Sequence, residues 1–263
     1  MLKIITANLN GIRSAASKGF FDWLGAQRAA VAGVQEVKAQ HDQVQGQHDR
    51  AGRLAGHFHY ALKKGYSGVG LYLKETPSEL IRGLGVREFD DEGRWIEARF
   101  DKPGRKLSVI SCYVPSGSSG EDRQAAKFRF LDVLGPRLLE LAAEREFIFM
   151  GDVNIAHREA DLKNWRSNQK NSGFLPEERA WMTSLLGSGR LVDVYRQLHP
   201  DTTEECYTWW SNRGEAWAKN VGWRLDYQIA TPAVAASARR AAIYKTQRFS
   251  DHAPLSIDYE LAL

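Results

Sequence analysis

The sequence predicts an α/β fold in which two packed, mixed β-sheets are flanked by helices, as a four-layered sandwich. Strand-like runs alternate with helical patterns along the whole chain, which favours sheets covered by helices. The 263 residues, 43% of them hydrophobic, suffice for one large core. No linker rich in Pro, Gly or Ser divides the chain. We therefore assign residues 1–263 to a single domain.

Nine short segments rich in β-branched or aliphatic residues are predicted to be strands. They are residues 3–6, 32–35, 58–62, 68–73, 95–100, 106–114, 147–150, 224–230 and 254–260.

Helices are predicted over residues 20–30, 121–146 and 176–186. In the second of these, apolar residues recur every three or four positions, which predicts one buried face. They are Phe128, Leu131, Leu134, Leu138 and Leu141. The polar segments 39–57, 116–120 and 157–173 are predicted to be loops, and loops of such length are more often functional than idle.

Charge and cysteine usage limit the class of protein. A net charge of +4 and a pI near 9.0 suit a polyanionic partner, although such a charge also serves solubility alone. Cys112 lies in a predicted buried strand and is expected to be a reduced core residue, and Cys206 forms no CxxC pair with it. Neither a disulfide nor a zinc site is expected.

The N-terminal segment, which begins Met1-Leu2-Lys3-Ile4, enters a strand pattern directly. It lacks the features of a signal peptide, and no apolar run in the chain approaches the ~18 residues of a membrane span. We therefore expect a cytoplasmic protein without membrane contact.

Acidic and amide side chains follow several predicted strands, where a sheet can hold them rigidly around one pocket. Glu36 follows the strand 32–35 and is a candidate ligand for Mg²⁺, although a surface glutamate could occupy this position. Asp152 and Asn154 follow the apolar strand 147–150. On an extended chain they would point the same way, so that Asp152 activates a water while Asn154 orients that water or contacts the phosphate. This combination supports metal-assisted attack on phosphorus.

His252 lies just before the last predicted strand and can donate to a phosphoryl oxygen if a carboxylate fixes its tautomer. Asp226, inside an apolar strand, is the candidate carboxylate, because a buried acid needs a partner.

Six motifs resemble those of the exonuclease III family of apurinic/apyrimidinic (AP) endonucleases, in family order. They are Asn8-Leu9-Asn10-Gly11-Ile12-Arg13, Gln35-Glu36-Val37-Lys38, Tyr113-Val114-Pro115, Gly151-Asp152-Val153-Asn154-Ile155-Ala156-His157, Gly222-Trp223-Arg224-Leu225-Asp226-Tyr227 and Ser250-Asp251-His252. The resemblance implies a deoxyribonuclease I-like fold with the site between the two sheets.

The resemblance also implies roles for these residues. Those implied at the metal are Asn8, Asn10, Glu36 and Asp251, and those implied at the water, the phosphate and the histidine are Tyr113, Asp152, Asn154, Asp226 and His252. Several relatives carry an aspartate where Asn10 stands, which puts the strength or number of metal sites in doubt. The implied cofactor is Mg²⁺, with Mn²⁺ as an alternative.

An apolar pocket for a flipped-out abasic sugar is implied for Trp209, Trp223 and Leu225, with Gly173 on the loop beside it. Trp210 and Trp217 are expected in the core. The side chains expected to contact DNA phosphates or to enter a groove are Arg13, Lys18, Lys38, Tyr66, Asn164, Asn168, Asn171 and Arg213.

The implied function is Mg²⁺-dependent incision of double-stranded DNA 5′ to abasic sites and clearing of blocked 3′ ends, with 3′→5′ exonuclease activity as an addition, by a monomer. A phosphohydrolase of the same fold acting on lipid or inositol phosphates is disfavoured by the Trp209 and Trp223 pocket and by the lack of an apolar membrane-binding loop. A non-enzymatic nucleic-acid-binding regulator should have lost Glu36, Asp152 or His252, and all three are present.

Overall fold

The computed structural model describes residues 1–263 and contains fifteen β-strands and nine α-helices. The strands are β1 Leu2–Asn8, β2 Val31–Gln35, β3 Arg50–Ala51, β4 Leu54–His59, β5 Val69–Leu73, β6 Glu79–Arg82, β7 Trp95–Lys102, β8 Arg105–Tyr113, β9 Glu146–Asp152, β10 Val192–Asp193, β11 Trp209–Trp210, β12 Gly222–Trp223, β13 Asp226–Ala230, β14 Ala238–Ile243 and β15 Leu255–Tyr259. The helices are α1 Ile12–Ser17, α2 Phe20–Ala26, α3 His41–Val44, α4 Arg87–Asp90, α5 Glu121–Glu144, α6 Trp165–Asn168, α7 Pro176–Gly187, α8 Val194–Leu198 and α9 Pro232–Ala236.

The two large sheets have similar strand arrangements. Seven strands form the first sheet in the order β14-β15-β1-β2-β5-β4-β3, and six form the second in the order β10-β13-β9-β8-β7-β6. Each sheet has one parallel pair near its centre, β1 with β2 and β8 with β9, and all other neighbours are antiparallel. Both sheets are therefore mixed, as predicted.

Apolar residues alternate along the strands and separate the fold into four layers. In β8, Leu107 and Val109 face the core between the two sheets, whereas Ile110 and Cys112 face helices α5 and α7. In the first sheet, apolar side chains of β1 and β2 pack against α1 and α2 on the outer face. The predicted four-layered sandwich is confirmed.

Several predicted boundaries were wrong. The strand predicted at 58–62 is β4, four residues earlier, because Ala55 pairs with Leu73 and the chain leaves the sheet after His59. The helix predicted at 20–30 ends at Ala26. The predicted loop 39–57 contains α3 and β3, and the predicted loop 157–173 contains α6 and a single 3₁₀ turn. Strand β14 was missed because exposed arginines obscure its alternation.

The long helix α5 buries the predicted stripe with one change. Leu131, Leu134 and Leu138 are buried, but Phe128 is only partly buried and Lys127 takes the fully buried position one turn before Leu131. Trp210 is a core residue as predicted, whereas Trp217 is only partly buried and packs against the ring of Trp210.

No helix is both long and apolar enough to cross a membrane.

Candidate active site

Four polar side chains meet at the edge where the central parallel strands of both sheets end. Asn8 ends β1 and Glu36 follows β2, while Tyr113 ends β8 and Asp152 ends β9. Parallel neighbours run in the same direction and therefore deliver their last residues to one edge. The Asn8 amide joins the two sheets there, because its Nδ2 lies 2.8 Å from Glu36 Oε1 and 2.8 Å from Asp152 Oδ2.

A histidine lies between two buried aspartates. Asp226 pairs with Asp152 across the antiparallel strands β13 and β9. His252 Nδ1 lies 2.9 Å from Asp226 Oδ2, and His252 Nε2 lies 3.7 Å from Asp152 Oδ2. Because a carboxylate only accepts, the contact with Asp226 requires the proton on Nδ1. The other ring nitrogen, Nε2, faces Asp152.

The carboxylates of Asp226 and Asp152 change the pKa of His252. Burial alone would lower the pKa of His252, but Asp226 and Asp152 reverse that effect and raise it above its ordinary value. Burial also raises the pKa of Asp152; His252 opposes this rise, and Asp226 and Glu36 add to it. His252 is therefore held as an imidazolium, and Asp152 is a stronger base than an exposed aspartate.

Asn154 reaches Asp152 in a way that the sequence did not predict. The chain is not extended there, because Asn154 has a φ of 55° in the left-handed region. Its backbone N–H donates to Asp152 Oδ1 over 2.9 Å, and its Nδ2 donates to Val114 O over 3.0 Å and lies 3.2 Å from Asp152 Oδ2. The two side chains do lie together, but a turn brings them there rather than strand alternation.

Gly151 determines how closely β9 approaches β8. Its φ is 146°, and a Cβ at this position would overlap the carbonyl oxygen of Cys112. Any other residue would push the two strands apart and displace Asp152. Glu36, Lys38 and Asn10 also have left-handed φ values of 51°, 50° and 44°. Such residues cost free energy and concentrate at functional sites.

Lys38 lies inside the site. Its Nζ is 2.7 Å from Glu36 Oε2 and 2.5 Å from Asn10 Oδ1. Asn10 Nδ2 in turn donates to Asp251 Oδ1 over 2.9 Å, and Asp251 Oδ2 accepts from Trp209 Nε1 over 3.1 Å. Lys38 therefore neutralises the candidate metal ligand Glu36 while its side chain stays 31% exposed, and its contact with a DNA phosphate stays a prediction.

The residues present suit a hard divalent cation. Ligand atoms of Glu36, Asp152 and His252 all lie within 4.8 Å of one another. Together with Asp226 and Asp251 they form a group of four carboxylates opposed by only two cations, Lys38 and His252. Asp226 Oδ1 is buried without a hydrogen-bond partner. Surplus negative charge on oxygen ligands is the environment that Mg²⁺ prefers.

A cavity of about 280 Å³ opens in front of these groups. Glu36, Tyr113, Asp152, Asn154 and His252 line one part of it. An apolar part of the lining consists of Trp209, Trp223 and Leu225. The two tryptophan rings pack edge to face, with centroids 6.3 Å apart. The polar cluster and an apolar wall thus line one cavity.

Gly173 lines this cavity, and a buried ion pair between Lys127 and Glu178 holds its backbone in place. A Cβ on Gly173 would lie 3.1 Å from Asn154 O and 3.3 Å from the Trp223 ring, and its φ is 95°. The Gly173 N–H donates to Glu178 Oε2 over 2.7 Å, and Lys127 Nζ lies 2.6 Å from Glu178 Oε1. A larger residue than glycine would therefore narrow the cavity or move Asn154.

The remaining predicted contacts include four exposed side chains that do not line this cavity, those of Arg13, Lys18, Asn164 and Arg213. Lys18 lines a separate groove beside Asn10 and Asp251.

Two other asparagines predicted at the rim are linked to each other. Asn171 donates from Nδ2 to Asn168 Oδ1 over 2.8 Å and borders the cavity. Tyr66 lies outside the cavity and is bound by arginines.

Two buried cations were missed by sequence reasoning. Arg94 is 1% exposed, and its guanidinium lies 4.9 Å from the centre of the Tyr113 ring. Lys127 Nζ donates to Asn154 O over 2.7 Å. For Lys127 a signal existed, because a lysine interrupts the apolar stripe of α5 one turn before Leu131. Arg94 directly precedes β7 and carries no comparable pattern.

The chain is similar to known proteins over nearly its whole length. Residues 5–252 match the model of the "Endonuclease/Exonuclease/phosphatase family". An exodeoxyribonuclease of Bacillus subtilis (strain 168) is 35% identical, over 97% of this chain and 98% of the relative. The DNA repair nuclease APEX1 of Danio rerio is 35% identical, over 97% and 81%. The solved structure of an AP endonuclease from Archaeoglobus fulgidus superposes with a TM-score of 0.87 at 26% identity, over 99% of this chain and 100% of that one.

Proposed function

The chain belongs to the endonuclease/exonuclease/phosphatase family, in its exonuclease III and AP endonuclease branch, and is a hydrolytic nuclease; we propose that it is a Mg²⁺-dependent DNA-repair phosphodiesterase. Its proposed reactions are incision 5′ to abasic sites and removal of 3′-blocking groups, with 3′→5′ exonuclease activity as an addition. The observation that carries this proposal is the grouping of Asp152, Asn154 and His252 in one cavity that also has an apolar wall.

Asp152 is proposed to accept a proton from the attacking water. Its carboxylate is held by two donors, the Asn8 amide and the Asn154 backbone N–H, so its orientation is set before substrate binds. Its raised pKa makes it a more effective base near neutral pH. The Asn154 side chain lies beside it and orients the same water.

His252 is proposed to donate from Nε2 to an oxygen of the scissile phosphate. Asp226 holds the ring by its other nitrogen and keeps it charged. A charged donor in a buried site strongly stabilises negative charge that develops on the phosphoryl oxygens. Tyr113 lines the same cavity and supplies a further donor, because burial raises the pKa of its phenol well above the ordinary value.

Glu36 is proposed to hold the metal, with Asn8, Asn10 and Asp251 around it. When bound, Mg²⁺ neutralises charge on the phosphate and on the leaving oxygen. Mn²⁺ remains an alternative ion. Because Lys38 already pairs with Glu36, the ammonium must shift or share that carboxylate when the ion binds.

The proposed substrate is double-stranded DNA with an abasic site or a blocked 3′ end. Trp209, Trp223 and Leu225 form an apolar wall that suits the bare deoxyribose of an abasic site. The proposed contacts to the phosphate backbone are Arg13, Lys18, Lys38, Tyr66, Asn164, Asn168, Asn171 and Arg213. A monomeric state and a cytoplasmic location stay predictions.

A gel assay tests the proposal. Three duplexes carry an abasic site, a 3′-phosphate or an undamaged recessed end, and each is incubated with Mg²⁺ or with a chelator. We expect Mg²⁺-dependent cleavage of the abasic duplex and release of the 3′-phosphate. Failure of the wild-type protein on all three duplexes, while a lipid or inositol phosphate is hydrolysed, would replace this function by the second one considered above.

A further inference from the structure

Arg94 is a buried arginine whose polar contacts lead to the two tyrosines of the proposed DNA-binding face. Its side chain is 2% exposed and is paired with Glu92, 2.5 Å from Nε to Oε2. Burial opposes the charge on Glu92, but Arg94 and Arg123 hold the pKa of that carboxyl below its ordinary value. A buried guanidinium is costly unless its donors are satisfied. The acceptors that the Arg94 guanidinium binds therefore indicate the role of this residue.

One set of contacts holds Tyr113 at the end of β8. Arg94 Nη1 donates to Tyr113 O over 3.0 Å, and the Tyr113 N–H donates to Arg94 O over 3.0 Å. The guanidinium also lies 4.9 Å from the centre of the Tyr113 ring, within the range of a cation–π interaction. Both the backbone and the ring of Tyr113 are thus held by one residue.

The second set of contacts turns the Tyr66 hydroxyl into a donor. Arg94 Nη2 donates to Tyr66 Oη over 3.0 Å, and Arg123 Nη2 donates to the same oxygen over 2.7 Å. A phenol oxygen has two lone pairs and one hydrogen. Both lone pairs are therefore occupied, and the hydrogen has only a long contact of 3.4 Å with Glu92 Oε1. This hydrogen is available to an incoming anionic oxygen.

From these contacts we propose that Arg94 is a positioning residue for the DNA backbone. It presents Tyr66, together with Arg123, as a preset donor to a phosphate beside the lesion, and it holds Tyr113 at the scissile phosphate. One buried guanidinium thereby connects the rim to the reaction site. This inference rests on the proposed nuclease function.

The chain offers a matched control. Arg145 is also a buried arginine of the second sheet, with a side chain 4% exposed and paired with Asp101. Its Nη2 lies 3.4 Å from Leu107 O, near the opposite end of β8 from Tyr113. Arg145→Met likewise removes a buried guanidinium that contacts a backbone carbonyl of β8, but it touches neither tyrosine.

The first test is a double-mutant cycle on binding. The dissociation constant for an abasic duplex is measured by fluorescence anisotropy in chelator, where cleavage does not occur. We expect Tyr66→Phe and Arg94→Met each to weaken binding about tenfold, the scale of a hydrogen bond to a charged group. The double variant should be weaker than either by no more than about twofold, because both changes remove one interaction. Losses that multiply to about a hundredfold would overturn the proposal.

The second test separates kcat from KM. Arg94→Met should lower kcat about tenfold through Tyr113, and Arg94→Lys should recover part of the loss because the positive charge is kept. Tyr66→Phe should raise KM alone, and Arg145→Met should change neither constant once the folded fraction is measured by circular dichroism. An Arg94→Met variant as active as wild type, per folded molecule, would reduce Arg94 to a structural role.

A replacement variant and the wild-type activity make the result decisive even if Arg94→Met does not fold or the protein is not a nuclease. If Arg94→Met does not fold, the same binding cycle is run with Arg123→Met, whose side chain is 32% exposed. Additive losses for Arg123→Met and Tyr66→Phe would again contradict the proposal. A wild-type protein that binds duplex without cleaving any of the three test substrates would refute the nuclease function, while the binding cycle would still decide the role of Arg94.

Discussion

Lys127 and Glu178 form an ion pair beneath the candidate active site, with 2.6 Å between Nζ and Oε1 and both side chains fully buried. The pair joins α5 to α7 and supports two backbone groups at the cavity. Lys127 donates to Asn154 O, and Glu178 accepts from the Gly173 N–H. An interaction that looks purely structural thus determines where the residues around the cavity lie.

Removal of one partner should therefore be costly. Lys127→Met leaves Glu178 as an uncompensated buried charge, and we expect the free energy of unfolding to fall by about 3–5 kcal/mol in urea titrations. The double variant Lys127→Met with Glu178→Gln should be more stable than the single one, because its buried charge is also removed. A single variant as stable as wild type would show that the pair is not buried in solution.

Asp152→Asn tests the proposed base. The amide keeps the size of the side chain but cannot accept the proton of water, so kcat should fall by several orders of magnitude. Binding of duplex DNA in chelator should change little, since it depends mainly on phosphate contacts. If the variant kept more than about a tenth of the activity, Asp152 would have no part in proton transfer.

Glu36→Gln tests the proposed metal ligand. A neutral amide is a poorer ligand for a hard cation than a carboxylate, so a higher Mg²⁺ concentration should be needed for half of the maximal rate. The measurement is a Mg²⁺ titration of initial rates at saturating DNA. Lower activity with an unchanged titration midpoint would mean that Glu36 positions another group, such as Lys38.

Arg213 is the candidate to fill the space left by an extruded sugar. The loop 116–120 contains only serine and glycine, whereas Arg213 is long and exposed, and its neighbour Asn212 lines the groove beside Asn10 and Asp251. Unstacking costs a few kcal/mol, so Arg213→Ala should weaken binding to abasic duplex more than to undamaged duplex. Lys18→Ala is the matched comparison: it should weaken both alike and reduce the dependence on salt. Equal losses for Arg213→Ala would make it an ordinary phosphate contact.

Asp161 should make stability depend on pH. Burial disfavours its charge, but Arg224 and Arg196 outweigh this and hold the pKa of Asp161 well below its ordinary value. A lowered folded pKa gives stability that is present above the unfolded value of about 4 and is lost as the pH falls through the folded pKa.

Asp161→Asn should therefore cost about 3–5 kcal/mol at pH 7, and this difference from wild type should shrink by up to about 1.4 kcal/mol per pH unit below pH 4. Urea unfolding of both proteins between pH 2 and pH 7 measures this difference in the free energy of unfolding. Asp201→Asn, at an exposed acid, serves as the control. A difference that stays constant down to pH 2 would contradict the assignment.

The sequence by itself determined the class of fold and the polar residues that gather at the site. Apolar periodicity and short continuous apolar runs are local properties, so β8, β9 and α5 could be recognised before any contact was known. The position of Asp152 directly after a wholly apolar strand likewise predicted an acid at a sheet edge. Short or mostly exposed elements such as β3 and β14 carry too weak a period to be found this way.

The tertiary structure alone decided which partner each polar side chain finds. Lys38 pairs with Glu36 because a left-handed turn after β2 brings it into the site, and the sequence did not predict this ion pair. Arg94 looked like an ordinary residue before a strand, yet it is buried between Tyr113 and Tyr66. Burial, charge pairing and strained turns depend on residues far apart in the chain, and local sequence patterns do not encode those distances.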